Sequence, residues 1–114
     1  MTTKATRFDA HGRADAAKAL AALRRHPLTF GSHLRAIRLG EELTQLEMAK
    51  GLGITNSHLS DIENERKVVS VERAARWAET LGYHPADFVR MVLSDEVRRA
   101  GLDLRVTVKD GRAA

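Results

Sequence analysis

Apolar positions recur with a helical period through most of this chain, and the interruptions between them carry helix caps. From Leu28 to Gly40, Phe30, Leu34, Ile37 and Leu39 form a stripe that predicts a first core helix with Thr29 as its cap. Gln45 to Leu52 follows, with Leu46, Ala49 and Leu52 at three-residue steps. Thr44 before it and Glu47 three residues on make a capping box. Gly53 stands where a helix end requires positive φ, Ile54 is an apolar plug, and Thr55 caps a second short helix. That helix spans Asn56 to Asn64 and turns Leu59 and Ile62 inward. Ser70 opens the next, striped by Val71, Ala74, Ala75, Ala78 and Leu81 and stopped by Gly82. His84 and Pro85 open the last, which runs to about Ala100 with Phe88, Val89, Val92, Leu93 and Val97 as its apolar band.

The period changes at both ends of this helical region. Arg13 to Arg25 is rich in Ala, Leu and charge, and predicts a helix whose small apolar face needs a partner surface. Pro27 breaks it. Leu102, Leu104, Val106 and Val108 alternate with Asp103, Arg105 and Thr107, which predicts one strand. A lone strand leaves its backbone donors and acceptors unpaired. The expected solution is antiparallel pairing with the same strand of a second copy, and the alternative is addition to the sheet edge of another protein.

A length of 114 residues suits one domain. The five aromatics leave a core of Leu, Ile, Val and Ala, in which Trp77 packs rather than stacks on bases. The absence of cysteine excludes disulfides, thiolate metal sites and cysteine nucleophiles, and suits a reducing cytoplasm. No apolar run approaches membrane-spanning length, and the first residues have no apolar signal core, so neither membrane insertion nor secretion is expected. The net charge of +4 lies in residues 1–27, where six bases face two acids. Residues 28–114 balance, 13 against 13. The leading segment is therefore either a solvated tail or an arm that meets phosphates in a salt-sensitive way.

The stretch QLEMAKGLGITNSHLSDIEN, from Gln45 to Asn64, resembles a helix-turn-helix of the Cro/repressor type found in small bacterial and phage regulators. The matching residues are Leu43-Thr44-Gln45, Leu52-Gly53-Ile54 and Ile62-Glu63-Asn64, and the likeness covers about residues 30–88. It implies an all-α, five-helix lambda-repressor-like domain. To this are added the amino-terminal helical extension and the carboxy-terminal strand. The expected layout is a basic extension over 1–27, the helix-turn-helix domain over 28–93, and the helix end, strand and tail over 94–114 as a dimerisation segment. Two positions depart from the family pattern: Glu42 and Glu65 stand where relatives often carry Gly.

The resemblance implies that the second helix of the motif enters the major groove of double-stranded DNA, amino-terminal end first. Its outward positions would be Asn56, Ser57, His58 and Asp61, with Ser60 near the backbone. Asn56 can make two hydrogen bonds to adenine, and Asp61 can accept from cytosine while opposing phosphates. Gln45 would anchor a phosphate at the amino end of the first motif helix. Thr55 stands at the start of the reading helix, where capping is its more natural role. Arg38, Arg66 and Lys67 are candidate phosphate contacts, and Glu63 is expected to pair with Arg35 or Arg38.

Other chemistry finds no support in the residue pattern. The five histidines have no metal-ligand spacing, and no phosphate-cradling glycine loop, nucleophile elbow or paired carboxylates occur. No cofactor, metal or catalytic residue is expected. The reading is a homodimeric transcriptional regulator, an autorepressor on a palindromic operator. The rival is an antitoxin that neutralises a toxin protein and represses its own operon. A third reading is an assembly module without DNA binding.

Overall fold

The computed structural model describes residues 29–111. These residues form five α-helices: α1 Phe30–Gly40, α2 Gln45–Leu52, α3 Asn56–Glu63, α4 Val71–Leu81 and α5 Pro85–Arg99. The architecture is all-α, as the helical period requires. The sequence-predicted helix over 13–25 lies outside the described residues. The chain divides into two compact units, one ending at Lys67 and one beginning at Val68.

In the first unit α3 lies against both α1 and α2. Phe30, Leu34 and Ile37 of α1, Met48, Ala49 and Leu52 of α2, and Leu59 and Ile62 of α3 are buried. Burying each of the larger side chains is worth roughly 1.5–3 kcal/mol. The inward face of α2 differs from expectation. Leu46 is 60% exposed and Met48 is 2% exposed, so the buried set is 48, 49 and 52. In an eight-residue helix two apolar faces are open to choice, and packing against α3 selects the one that carries the flexible methionine. Leu39 likewise lies outside the stripe, at 41% exposure. Gly31 sits where α1 meets α3: a Cβ there would lie 2.2 Å from the Ile62 carbonyl oxygen.

In the second unit α4 packs along α5. Ala74, Trp77 and Ala78 of α4 and Phe88, Met91 and Val92 of α5 are buried, together with Val69. Trp77 is a packing residue, with the Arg73 guanidinium 5.7 Å above its ring. Tyr83 stacks on Phe88 at 5.7 Å. Met91 is buried where the sequence stripe places Val89, Leu93 and Val97, which are half-buried, and Val71 is exposed.

All four caps read from the sequence accept hydrogen bonds at the predicted places. Thr29, Thr44, Thr55 and Ser70 take the amide protons of Ser32, Glu47, His58 and Arg73. Glu47 closes the capping box by accepting from the Thr44 amide. His84 caps α5 through Nδ1, which accepts from the Ala86 amide, with Pro85 at the first helical position.

Each helix also ends in the same way. A residue with positive φ donates to the third carbonyl back, and the next residue donates to the fifth, which is the Schellman motif. The positive-φ residues are Glu42, Gly53, Glu65, Gly82 and Gly101. The paired bonds run from Glu42 to Leu39 and Leu43 to Arg38, from Gly53 to Lys50 and Ile54 to Ala49, and correspondingly at the other three ends. The two glutamates that replace family glycines thus adopt the glycine conformation, at φ 57 and 62. The loops keep their shape, and the backbone carries the strain, about 1–2 kcal/mol per residue.

Residues 102–110 form neither helix, turn nor bend, and no strand is present among the described residues. The strand expected over 102–108 is not formed among the described residues: a strand exists only with a ladder partner, and none of the described chain supplies one. Leu102 and Leu104 are exposed, while Val106 and Val108 are half-buried.

Candidate nucleic-acid interface

The interface that the motif predicts is built on α3, and both ends of α3 are fixed by side chains. Thr55 caps its start, which leaves its exposed hydroxyl bonded to the His58 amide rather than free. At its end the Asn64 amide group donates to the Ser60 carbonyl at 2.8 Å and approaches the Ser60 hydroxyl at 3.4 Å. Between them Asn56 and Ser57 are exposed in the first turn. Neither side chain bonds another described residue. His58, Ser60 and Asp61 are half-buried.

Beneath the helix lies a buried ion pair. The Arg38 guanidinium donates to both Glu63 carboxylate oxygens, at 2.7 and 3.0 Å, and to the Leu43 carbonyl at 3.0 Å. Arg38 is 9% exposed and Glu63 is 7% exposed. The expectation of Arg38 as a phosphate contact is therefore corrected. Its guanidinium is buried and makes three hydrogen bonds inside the first unit, tying α1 to the end of α3 and to the loop before α2. Of the two arginines considered for Glu63, Arg38 is the partner, and Arg35 is exposed. A two-toothed, nearly dry pair of this kind fixes geometry more than it adds stability, because both charges lose their water.

Gln45 joins the same network. Its amide group donates to Glu63 Oε1 at 3.2 Å, which orients a half-exposed side chain at the first position of α2. The glutamine on α2 and Arg38 on α1 are thus held by one carboxylate of α3.

Arg66 and Lys67 follow α3 in exposed positions. Both are paired with Asp61: Arg66 Nε lies 3.0 Å from one oxygen and Lys67 Nζ 3.9 Å from the other. The Asp61 carbonyl accepts from both of their amides as well. At four helix ends the residue after the positive-φ position is apolar (Leu43, Ile54, Tyr83, Leu102), the usual companion of a Schellman motif. At the end of α3 that residue is Arg66, and an ion pair to Asp61 stands in its place. Asp61 therefore serves the loop first. Its one negative charge also offsets one of the two positive charges carried by Arg66 and Lys67.

The spacing of charged residues did not reveal this clamp. Asp61 and Arg66 are five apart, which is outside the helical i+4 rule, and only the left-handed turn at Glu65 brings them together. Gly31 is the other missed residue. Its signal was a glycine one step inside a helix, where propensity alone disfavours it.

Among the described residues no cluster of His, Asp or Glu could hold a metal ion, and no helix is long and apolar enough to cross a membrane. A family model described as Helix-turn-helix matches residues 34–88. No curated protein and no solved structure matches the chain. The capped helix pair, its glycine turn and the family match agree: residues 34–88 form a helix-turn-helix domain of the Cro/repressor type, a family of DNA-binding transcription regulators.

Proposed function

We propose that the protein is a sequence-specific, non-enzymatic regulator that binds a palindromic operator as a homodimer, in the cytoplasm, and represses its own gene. The observation that carries this reading is the pair Asn56 and Ser57, exposed and without described partners, on a helix locked at both ends. Helix ends held this rigidly present side chains to base edges at little entropic cost. Asn56 reads adenine, Ser57 and His58 adapt to neighbouring bases or phosphates, and Gln45 with the amides of α2 grips a phosphate. Ser60 lies beside the backbone. Arg66 and Lys67 contact phosphates when they leave Asp61. Half-sites are about one helical turn apart, roughly 34 Å.

The test is binding to DNA from upstream of the protein's own gene, by gel shift and footprint at several salt concentrations, with scrambled DNA as competitor. A protected palindrome that survives competition supports the proposal. Weak binding that salt abolishes, with no footprint, overturns it.

The exposed Leu102 and Leu104 favour a second reading, in which residues 102–110 add to the sheet edge of a toxin protein. Co-expression with the product of an adjacent short gene, followed by co-purification, separates the two. A complex lost on changing both leucines to Ser supports the antitoxin reading.

A further inference from the structure

Residues 103–109 make no hydrogen bond to any other described residue, and they run without turn or bend. Leu102 does not share this freedom, because its amide is used to close α5 by donating to the Val97 carbonyl at 3.2 Å. The free ladder is therefore seven residues long, Asp103 to Lys109. Its flank is open: with Arg90 and Ser94 of α5, part of the segment lines a cleft of about 540 Å³.

The side chains of this segment restrict how a second copy can pair with it. Residues directly opposite in an antiparallel pair project to the same face. Any two-fold axis placed between residues sets apolar even positions against polar or charged odd ones. The axis must pass through a residue. At Arg105 it sets two arginines face to face. At Thr107 it sets Arg105 against the partner's Lys109 twice. At Leu104 or Val108 the ladder shrinks to three residues. At Val106 all seven residues pair. Asp103 then meets the partner's Lys109 on both sides, Leu104 meets the partner's Val108, and Arg105 meets the partner's Thr107. No like charges oppose each other.

We infer that this segment is a self-complementary pairing edge, and that its occupant is the same segment of a second copy, antiparallel and centred on Val106. This deepens the homodimer reading above and specifies its register. The unsatisfied backbone groups become a two-stranded ribbon, and the even-numbered apolar face doubles in area.

The chain has no cysteine, so single cysteines report the register cleanly. Opposed residues in an antiparallel pair have Cα atoms about 4.5–5.5 Å apart, within disulfide range, whereas diagonal ones lie at about 7–8 Å. In the full-length protein without DNA, Val106→Cys should cross-link to itself under mild oxidation at least about tenfold faster than Arg105→Cys. Asp103→Lys should weaken the dimer about tenfold by light scattering, since two favourable cross-strand pairs become repulsive. Adding Lys109→Asp should restore it. Equal cross-linking at 105 and 106, or no rescue by the charge swap, overturns the inference. A dimer that cross-links at neither position overturns the ribbon and leaves the homodimer standing on another surface. A missing footprint touches only the DNA reading.

Discussion

Asn56 and Asp61 sit five residues apart on α3, about 1.4 turns, and answer opposite questions about DNA. Asn56 is free to bond a base, so Asn56→Ala should cost roughly 1–3 kcal/mol of operator affinity and relax preference at one base pair. Gel-shift titration against operator and single-base variants measures this, and unchanged discrimination would remove Asn56 from the reading set. Asp61 holds Arg66 and Lys67, so Asp61→Asn should release two cations. Binding to scrambled DNA should strengthen, and the slope of log K against log salt should steepen by up to about two, near 0.9 per phosphate contacted. If that slope stays unchanged, the clamp does not compete with phosphates. The buried pair gives a third residue-scale expectation. Glu63→Gln leaves the Arg38 charge buried without its partner, which should destabilise the fold by roughly 3–5 kcal/mol in urea unfolding.

At the scale of elements, one closing device repeats five times, with glycine at three of the ends and glutamate at two. Glutamate at positive φ stores strain that glycine would not. Glycine in turn costs more chain entropy on folding, about 0.5–1 kcal/mol. The balance favours glycine slightly, so Glu65→Gly should raise stability by up to about 1 kcal/mol, with operator contacts intact. Gly31 shows the opposite case. A methyl group there collides with the Ile62 carbonyl, backbone against backbone, so Gly31→Ala should push α1 from α3 and cost roughly 1–3 kcal/mol. Thermal unfolding of the two variants should move in opposite directions.

At the scale of the whole molecule, charge is unevenly placed along the chain. Residues 28–114 are neutral, and the excess of four positive charges belongs to residues 1–27. A DNA-binding domain with no net charge draws little on long-range attraction. Replacing Lys4, Arg7, Arg13, Lys18, Arg24 and Arg25 with Gln should therefore weaken operator binding at low salt far more than at high salt. Sequence preference should persist, because the proposed base contacts lie on α3. Equal loss at all salt concentrations would argue for a structural role of that segment.

Much of this protein is legible in the residues alone. Helix starts depend on one side chain and one amide three residues on, and glycine ends on one dihedral. Both are local, so Thr29, Thr44, Thr55, Ser70, Gly53, Gly82 and Gly101 take the places their sequence positions require. The helix-turn-helix was readable for the same reason. What only tertiary packing decided was non-local: which face of α2 turns inward, with Met48 and not Leu46; that Arg38 goes inside to Glu63, 25 residues away; and that Gly31 must admit a carbonyl from α3. The conformations of Glu42 and Glu65 belong here as well, since a left-handed glutamate persists only where surrounding structure holds it. Local hydrogen bonds set where each helix begins and ends, and packing set which side chains remained free to face DNA.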